Sequence, residues 1–248
     1  MISIDLNADL GEGAAFDEQL LGIVSSASVA CGSYAGSAEI MERTLLGAKK
    51  AGVRTGAHPG FVDPENFGRK RLDLPPETIA AQVVAQLQSI TAIAENVRQP
   101  ISYVKLHGAL YNWASEDYAL AHALFGAVKS FNPSLAILAL DGSRQLKAAN
   151  DLGLKTIPEA FADRAYDADG LLVSRALPGA VLSEPAQAVA QALGIARDKK
   201  ITSIEGKTLA SNATSICLHG DNEAALTIAR AICDALGKAE IAISTERT

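Results

Sequence analysis

Residues 101–112 read ISYVKLHGALYN, a short apolar run that passes into a lysine, a histidine and a glycine. Six similar apolar runs lie along the chain, at 2–6, 27–31, 53–57, 135–140, 154–158 and 214–218. Short runs rich in β-branched residues are typical of buried parallel strands. Seven such strands alternating with helices predict an α/β fold whose parallel sheet is either closed into a barrel or open and doubly wound.

The amphipathic segments between the runs predict helices. Apolar residues recur every three or four positions over 76–97, 115–131 and 222–236. Ser115 is a plausible N-cap for the second of these helices. Helices of this length are what a parallel sheet needs to connect one strand to the next.

Length and composition indicate one globular domain. The chain has 248 residues, of which 48% are hydrophobic and 20% charged. Because α/β barrels commonly use roughly 250 residues as one unit, residues 1–248 are predicted to form a single domain. A net charge of −6 argues against a nucleic-acid surface, and no apolar run approaches the roughly 18–20 residues that cross a membrane.

The start of the chain and its cysteines point to the cytoplasm. The first residues, MISIDLNADLGEG, place Asp5 and Asp9 where a signal peptide would be apolar. Three cysteines, Cys31, Cys217 and Cys233, show no CxxC spacing. We therefore expect a cytoplasmic protein without a disulfide framework or a zinc ribbon.

Polar side chains of chemical interest cluster after the predicted strands. These residues are Asp5, Asn7, Asp9, Glu12, Tyr34, His58, Lys105, His107, Asp141, Glu159, Asp163, Arg164, His219 and Asp221. The carboxyl ends of parallel strands meet on one face, where the loops build active sites. The pattern predicts a convergent pocket and favours an enzyme, although Asp141 is equally well explained as a turn residue.

Three of the four histidines stand out. His58, His107 and His219 each lie in a turn with glycine or proline directly after an apolar run, whereas His122 points away from the apolar face of its helix. The three fit general acid–base catalysis or metal ligation, and a structural role in the core is the alternative.

A phosphate-binding loop is not found. Residues 206–208 read Gly-Lys-Thr, but Ile201 stands where a P-loop needs its first glycine. Gly11 and Gly13 resemble the start of a dinucleotide fingerprint, but Phe16 replaces its third glycine. Any nucleotide must be bound in another way.

Six segments together resemble the LamB/YcsF family, which supplies the A component of the prokaryotic 5-oxoprolinase. They are DLNADLGEG at 5–13, ACGSYAG at 30–36, GAHPGFVDPENFGR at 56–69, VKLHGALYN at 104–112, EAFADRAYDADGLLVSR at 159–175 and ICLHGDN at 216–222. The match runs from the first strand to the last. It implies a seven-stranded parallel β/α barrel related to the polysaccharide deacetylases, rather than an open sheet.

The resemblance also implies an activity, the ATP-dependent opening of the lactam 5-oxoproline to L-glutamate together with subunits B and C. Such a reaction needs cations for phosphate and for the substrate carboxylate, and carboxylates that hold Mg²⁺ or position water. Candidate catalytic residues are Asp9, His58, Lys105, His107, Glu159 and His219. Candidate substrate- or nucleotide-binding residues are Asp5, Asn7, Glu12, Tyr34, Arg69, Tyr111, Asn112, Asp163, Arg164, Arg175 and Asp221.

The chain departs from the family pattern at several positions. Ala8 stands where the family usually has cysteine, Leu106 where it has proline, and CGSYAGS replaces CGFHAGD, so that Tyr34 replaces a histidine and Ser37 an aspartate. In the related deacetylases an aspartate and two histidines hold a metal. A neutral tyrosine, with a pKa near 10, is a poor ligand, which argues against a tightly bound transition metal.

Two rival functions remain open at this point. One is a metal-dependent hydrolase or deacetylase that acts alone. The other is a non-catalytic subunit that binds 5-oxoproline or a related ligand.

Overall fold

The computed structural model describes residues 2–219 and 223–245. Ten strands occur in this part of the chain: β1 (Ile2–Leu10), β2 (Ser26–Ala30), β3 (Arg54–His58), β4 (Ile101–Val104), β5 (Ala136–Leu140), β6 (Thr156–Phe161), β7 (Lys200–Thr202), β8 (Thr208–Ala210), β9 (Ser215–Leu218) and β10 (Ile241–Ile243).

The same residues form eight α-helices. They are α1 (Asp17–Leu21), α2 (Ala38–Ala51), α3 (Pro76–Val97), α4 (Gly108–Glu116), α5 (Tyr118–Phe131), α6 (Arg144–Asp151), α7 (Pro185–Leu193) and α8 (Glu223–Lys238). A single π-helical turn, Gly194–Asp198, continues α7.

Seven parallel strands form a closed barrel. Strands β1 to β6 and β9 lie side by side in that order, and β9 pairs back with β1. Strand β10 extends the sheet beside the start of β1, while β7 and β8 form a separate antiparallel pair. The predicted β/α barrel is confirmed, and the open doubly wound sheet is wrong.

Strand β1 is longer than its apolar run predicts. Asp5, Asn7 and Asp9 lie within β1 rather than after it, and Glu159 likewise lies within β6. Alternate residues of a barrel strand face the interior. The polar positions of ISIDLNADL therefore point into the barrel, and the leucines between them join the core beneath the helices.

The helix prediction for 115–131 needs one correction. The structure divides this region into α4 and α5, and Asp117 is the N-cap of α5, accepting a hydrogen bond from the Leu120 amide at 3.0 Å. Ser115 lies inside α4, where its hydroxyl donates to the Tyr111 carbonyl. A carboxylate at Asp117 caps the helix as well as a serine would. The amphipathic period of 115–131 does not reveal the junction between α4 and α5.

The amino-terminal half of the barrel is filled by polar and aromatic side chains. Asp5 pairs with Arg54 at 2.8 Å and accepts hydrogen bonds from serine hydroxyls of β2 and β9. The Tyr103 ring crosses the interior against Gly56 and reaches Ser28. These contacts fill the lower end of the barrel interior. Within the described residues, every helix is too short or too polar to span a bilayer.

Candidate active site

A cavity of about 600 Å³ opens at the carboxyl ends of the barrel strands. Eleven of the residues predicted from the sequence line it: Asp9, Glu12, His58, Arg69, Lys105, His107, Tyr111, Asn112, Arg164, Arg175 and His219. Glu159 is fully buried and contacts Lys105 from below. These eleven predicted residues therefore meet at one mouth of the barrel.

Lys105 lies at the floor of the cavity, directly after β4. Its Nζ is 2.9 Å from Asp9 Oδ1 and 2.8 Å from Glu159 Oε1, and it also donates to Asn7 Oδ1 at 3.2 Å. The residue is 1% exposed. The ammonium is thus held between two carboxylates in the barrel interior and does not project freely into the mouth.

Charge pairing sets the ionisation of this cluster. Burial opposes a charge on Lys105, but Asp9, Cys217 and Glu159 raise the pKa of Lys105 well above its usual value. Burial likewise opposes ionisation of Asp9, yet His58 and Lys105 hold the pKa of Asp9 well below its usual value. Both groups are therefore charged at neutral pH.

Two further residues, Tyr111 and Cys217, contact the buried Glu159–Lys105 pair. The Tyr111 hydroxyl donates to Glu159 Oε2 at 2.8 Å, so both oxygens of this buried carboxylate have neighbours. Cys217 Sγ lies 3.2 Å from Lys105 Nζ, and burial raises the pKa of this thiol well above its usual value. Sequence reasoning missed Cys217, although Ser215, Cys217 and His219 alternate in a way that predicts three inward-facing side chains.

His58 and His107 contact one another beside Glu12. His107 Nδ1 is 3.1 Å from His58 Nε2 and 3.4 Å from Glu12 Oε1. The Tyr34 ring stacks on His107 with centroids 3.6 Å apart, and its hydroxyl donates to Glu12 Oε1 at 3.0 Å. Tyr34 therefore supports this group from behind the cavity wall.

The two imidazoles have opposite electrostatic surroundings. Burial and the neighbouring His58 lower the pKa of His107 to about 3. For His58, burial acts in the same direction, but the Asp9 carboxylate outweighs it and raises the pKa of His58. Any proton shared by the pair thus resides on His58.

His219 forms a second acid–base group on the opposite wall. Its Nδ1 is 2.7 Å from Asp163 Oδ2, and its Nε2 is 2.9 Å from Arg175 Nη2. Because a carboxylate only accepts and a guanidinium only donates, these contacts place the donor hydrogen on Nδ1 and the acceptor lone pair on Nε2. Burial opposes ionisation of Asp163, but the hydrogen bond from His219 and the nearby arginines lower the pKa of Asp163.

The cavity arginines differ in their freedom to bind a ligand. Arg164 donates to the carbonyls of Val173 and Ala180, so it orders the loop that follows β6. Burial and the neighbouring Arg175 lower its pKa to about 10. Arg69 packs over the Phe67 ring and, with Arg175, brings positive charge to the cavity wall.

Several predicted site residues lie outside the cavity lining. Asp5 belongs to the lower end of the barrel, where its ion pair and hydroxyl contacts give it a structural position, and Asn7 lies beneath Lys105, bonded to Ser215. Asp163 stands behind His219, and Asp141 accepts from the Asn212 amide away from the mouth. Asp221 lies outside the described residues.

Fold and site together define a class of protein: a seven-stranded parallel β/α barrel with a charged, histidine-rich cavity at the carboxyl ends of its strands. The chain belongs to the LamB/YcsF family, whose sequence profile matches residues 4–248.

Solved structures agree with this placement. The lactam utilization protein from Thermus thermophilus is 36% identical, with 99% of this chain and 100% of that chain covered and a TM-score of 0.92. A family 4 carbohydrate esterase from Streptomyces lividans is 9% identical, with coverage of 98% and 93% and a TM-score of 0.52. A GH18 chitinase from Pseudoalteromonas aurantia is 8% identical, with coverage of 94% and 100% and a TM-score of 0.56. The last two share the fold alone.

Proposed function

We propose that the chain is one component of an ATP-dependent 5-oxoprolinase that opens the lactam of 5-oxoproline to L-glutamate. The observation that carries the proposal is the Asp163–His219–Arg175 arrangement on the cavity wall. Membership of the LamB/YcsF family and similarity to a lactam utilization protein support the substrate class. The partners would be subunits B and C, and ATP would enter with Mg²⁺.

The arrangement suits a substrate that carries a carboxylate beside an amide. A carboxylate that binds Arg175 would draw the guanidinium away from His219 Nε2, which lies 2.9 Å from it. The lone pair on Nε2 would then be free to take a proton from water, while Asp163 stabilises the imidazolium that forms. Binding the substrate would thus activate the base.

ATP fits the chemistry because a five-membered lactam is an unactivated amide. Transfer of the γ-phosphoryl group of ATP to the lactam oxygen releases ADP and makes the carbon susceptible to water. One water adds and the C–N bond breaks, with the proton passing to the ring nitrogen, and a second water displaces phosphate to leave glutamate. Arg69 supplies positive charge for a phosphate, and the carboxylates of Asp9 and Glu12 face the same cavity.

The decisive experiment is reconstitution with subunits B and C, measuring 5-oxoproline-dependent ATP hydrolysis and glutamate formation. We expect His219→Gln to lower turnover by at least about 100-fold, the usual contribution of a general base. His122→Gln, which alters an exposed histidine on α5, is the matched control and should retain full activity.

Three outcomes would contradict the proposal in different ways. Glutamate formation without ATP would favour a hydrolase that acts alone. Tight binding of 5-oxoproline without turnover in the complete complex would favour a non-catalytic binding protein. Equal activity of His219→Gln and wild type would remove His219 from the mechanism.

A further inference from the structure

The tautomers of His58 and His107 follow from two backbone carbonyls. His58 Nδ1 lies 2.8 Å from the Lys105 carbonyl oxygen, and His107 Nε2 lies 2.9 Å from the Phe67 carbonyl oxygen. Because a carbonyl oxygen can only accept, each of these nitrogens carries a hydrogen. The remaining nitrogens, His58 Nε2 and His107 Nδ1, are those that face each other at 3.1 Å.

Two neutral imidazoles in these tautomers direct two lone pairs at one point. Such a contact is repulsive unless a positively charged atom lies between the nitrogens. Glu12 Oε1 brings negative charge to the same place, 3.4 Å from His107 Nδ1 and 4.0 Å from His58 Nε2. A cation between Glu12 Oε1, His58 Nε2 and His107 Nδ1, either one proton or a metal ion, would therefore stabilise these three atoms.

The spacing of the three atoms fits a metal ion. Nitrogen and oxygen ligands lie roughly 2.0–2.2 Å from Zn²⁺, so neighbouring ligands of a tetrahedral ion are about 3.3–3.5 Å apart. The three ligand atoms of Glu12, His58 and His107 all lie within 4.8 Å of one another. Only small side-chain movements are needed to seat an ion among them.

We propose that Glu12, His58 and His107 form a transition-metal site that takes Zn²⁺ or a similar divalent ion. Two imidazoles and one carboxylate suit zinc better than Mg²⁺, which prefers oxygen ligands. Three protein ligands facing a cavity leave a fourth position open for water or substrate. The proposal rests on the ligand geometry and not on the lactam reaction.

The surroundings hold the ligands in this arrangement. The backbone carbonyls that fix both imidazoles, and the Tyr34 hydroxyl on Glu12 Oε1, are the kind of outer contacts that orient metal ligands. Tyr34 itself is not among the three ligands. The replacement of the family's histidine by Tyr34 therefore removes no ligand from this site.

Glycines allow the close packing around His107. Gly108 has a φ of +55°, and a Cβ on it would lie 2.7 Å from the Gly68 carbonyl oxygen. A Cβ on Gly68, at φ +62°, would lie 3.0 Å from His107 Cδ2. Both positions require glycine, which places the loop after β3 tightly over the His107 ring.

A second group of potential ligands lies nearby and is less suitable. Asp9, Cys217 and His219 also have ligand atoms within 4.8 Å of one another. Lys105 Nζ, however, lies 3.2 Å from Cys217 Sγ and 2.9 Å from Asp9 Oδ1. An ammonium in that position already neutralises the site and repels a second cation.

The test is calorimetric titration of the metal-depleted full chain with Zn²⁺. We expect one ion per chain for wild type, a loss of at least about tenfold in affinity for Glu12→Gln and His107→Gln, and a loss of about tenfold for Tyr34→Phe, which removes only the outer hydrogen bond. His122→Gln is the control and should bind like wild type. Melting curves of each variant without metal verify that it is folded.

Nitrogen NMR of the wild-type histidines gives a readout that needs neither variants nor activity. On adding Zn²⁺, His58 Nε2 and His107 Nδ1 should shift as coordinated nitrogens, while His122 stays unchanged. The proposal is overturned if wild type binds no stoichiometric Zn²⁺, so that a shared proton alone joins the imidazoles. It is also overturned if binding survives His107→Gln and is lost in His219→Gln, which would place the ion at the second group.

Discussion

At the scale of single residues, Lys105 shows the largest difference between the role that the sequence suggests and the position that the structure gives. A lysine between two apolar residues at a strand end suggests an ammonium directed into the mouth to meet phosphate or a carboxylate. In the structure it is buried between Asp9 and Glu159. The Lys105 ammonium, paired with both carboxylates, stabilises the barrel interior. Any role of Lys105 in the reaction must therefore be exerted through Asp9 or Glu159.

We therefore expect Lys105→Ala to destabilise the protein strongly. Removing one partner of a buried ion pair leaves uncompensated charge and costs about 3–5 kcal/mol, here with two stranded carboxylates. Denaturant unfolding measures the loss. Lys147→Ala, which breaks an exposed ion pair to Asp151, is the control and should change stability little. A near-native stability with lost turnover would instead support direct contact of Lys105 with the substrate.

Asp163 provides a pH-dependent prediction. Its pKa is lower in the folded chain than in the unfolded chain, so the unfolded state binds a proton first as pH falls. The stability from this carboxylate is complete above its unfolded pKa of about 3.9 and is lost as pH falls through the lower folded pKa. Between pH 5 and pH 3 the melting temperature of wild type should fall more steeply than that of Asp163→Asn. Parallel pH profiles of the two proteins would contradict the assignment.

At the scale of elements, β3 and β4 pack closely because Gly56 in β3 has no side chain. Gly56 lies in β3 against the Tyr103 ring of β4, and a Cβ there would overlap that ring. The tyrosine fills the barrel interior that a larger residue in β3 would otherwise occupy. The ring of Tyr103 and the missing side chain of Gly56 therefore fit together at the lower end of the barrel.

Gly56→Ala is accordingly expected to destabilise the barrel by about 1–3 kcal/mol, the usual cost of overpacking a core. Gly126→Ala is the matched control, because a Cβ on this α5 glycine meets no atom within 4 Å. That variant should gain roughly 0.5–1 kcal/mol from helix propensity. Chemical denaturation of both variants gives the comparison, and equal effects would contradict the packing argument.

At the scale of the whole molecule, the cavity has the groups for proton transfer and anion binding but the sequence lacks a P-loop. The proposed reaction consumes ATP, so the nucleotide must be bound by another arrangement or by a partner protein. A nucleotide site on a partner protein is consistent with the proposed action together with subunits B and C.

The isolated chain is therefore expected to show little or no 5-oxoproline-dependent ATP hydrolysis, and addition of both partners should restore it. The measurement is phosphate and glutamate release from the purified chain alone, with each partner singly and with both. Full ATP-coupled turnover by the chain alone would refute the expectation.

Much of the architecture is determined by the sequence alone. Seven apolar runs separated by amphipathic segments predict parallel strands and helices, because local hydrophobic period reports which face of an element is buried. The α3 helix, Pro76–Val97, has the bounds that its period predicts. The strand-end positions of His58, His107 and His219 likewise follow from chain order and from the rule that parallel strands share one carboxyl face.

Only the tertiary structure decided which of these groups touch. Periodicity alone does not distinguish a closed barrel from an open sheet, since closure depends on the pairing of β9 with β1, more than 200 residues apart. The positions of Lys105 between two carboxylates, of Cys217 beside it and of Tyr34 behind Glu12 depend on distances between different strands. Sequence order contains no such distances, because contacts across a barrel are set by strand register and packing rather than by local propensity.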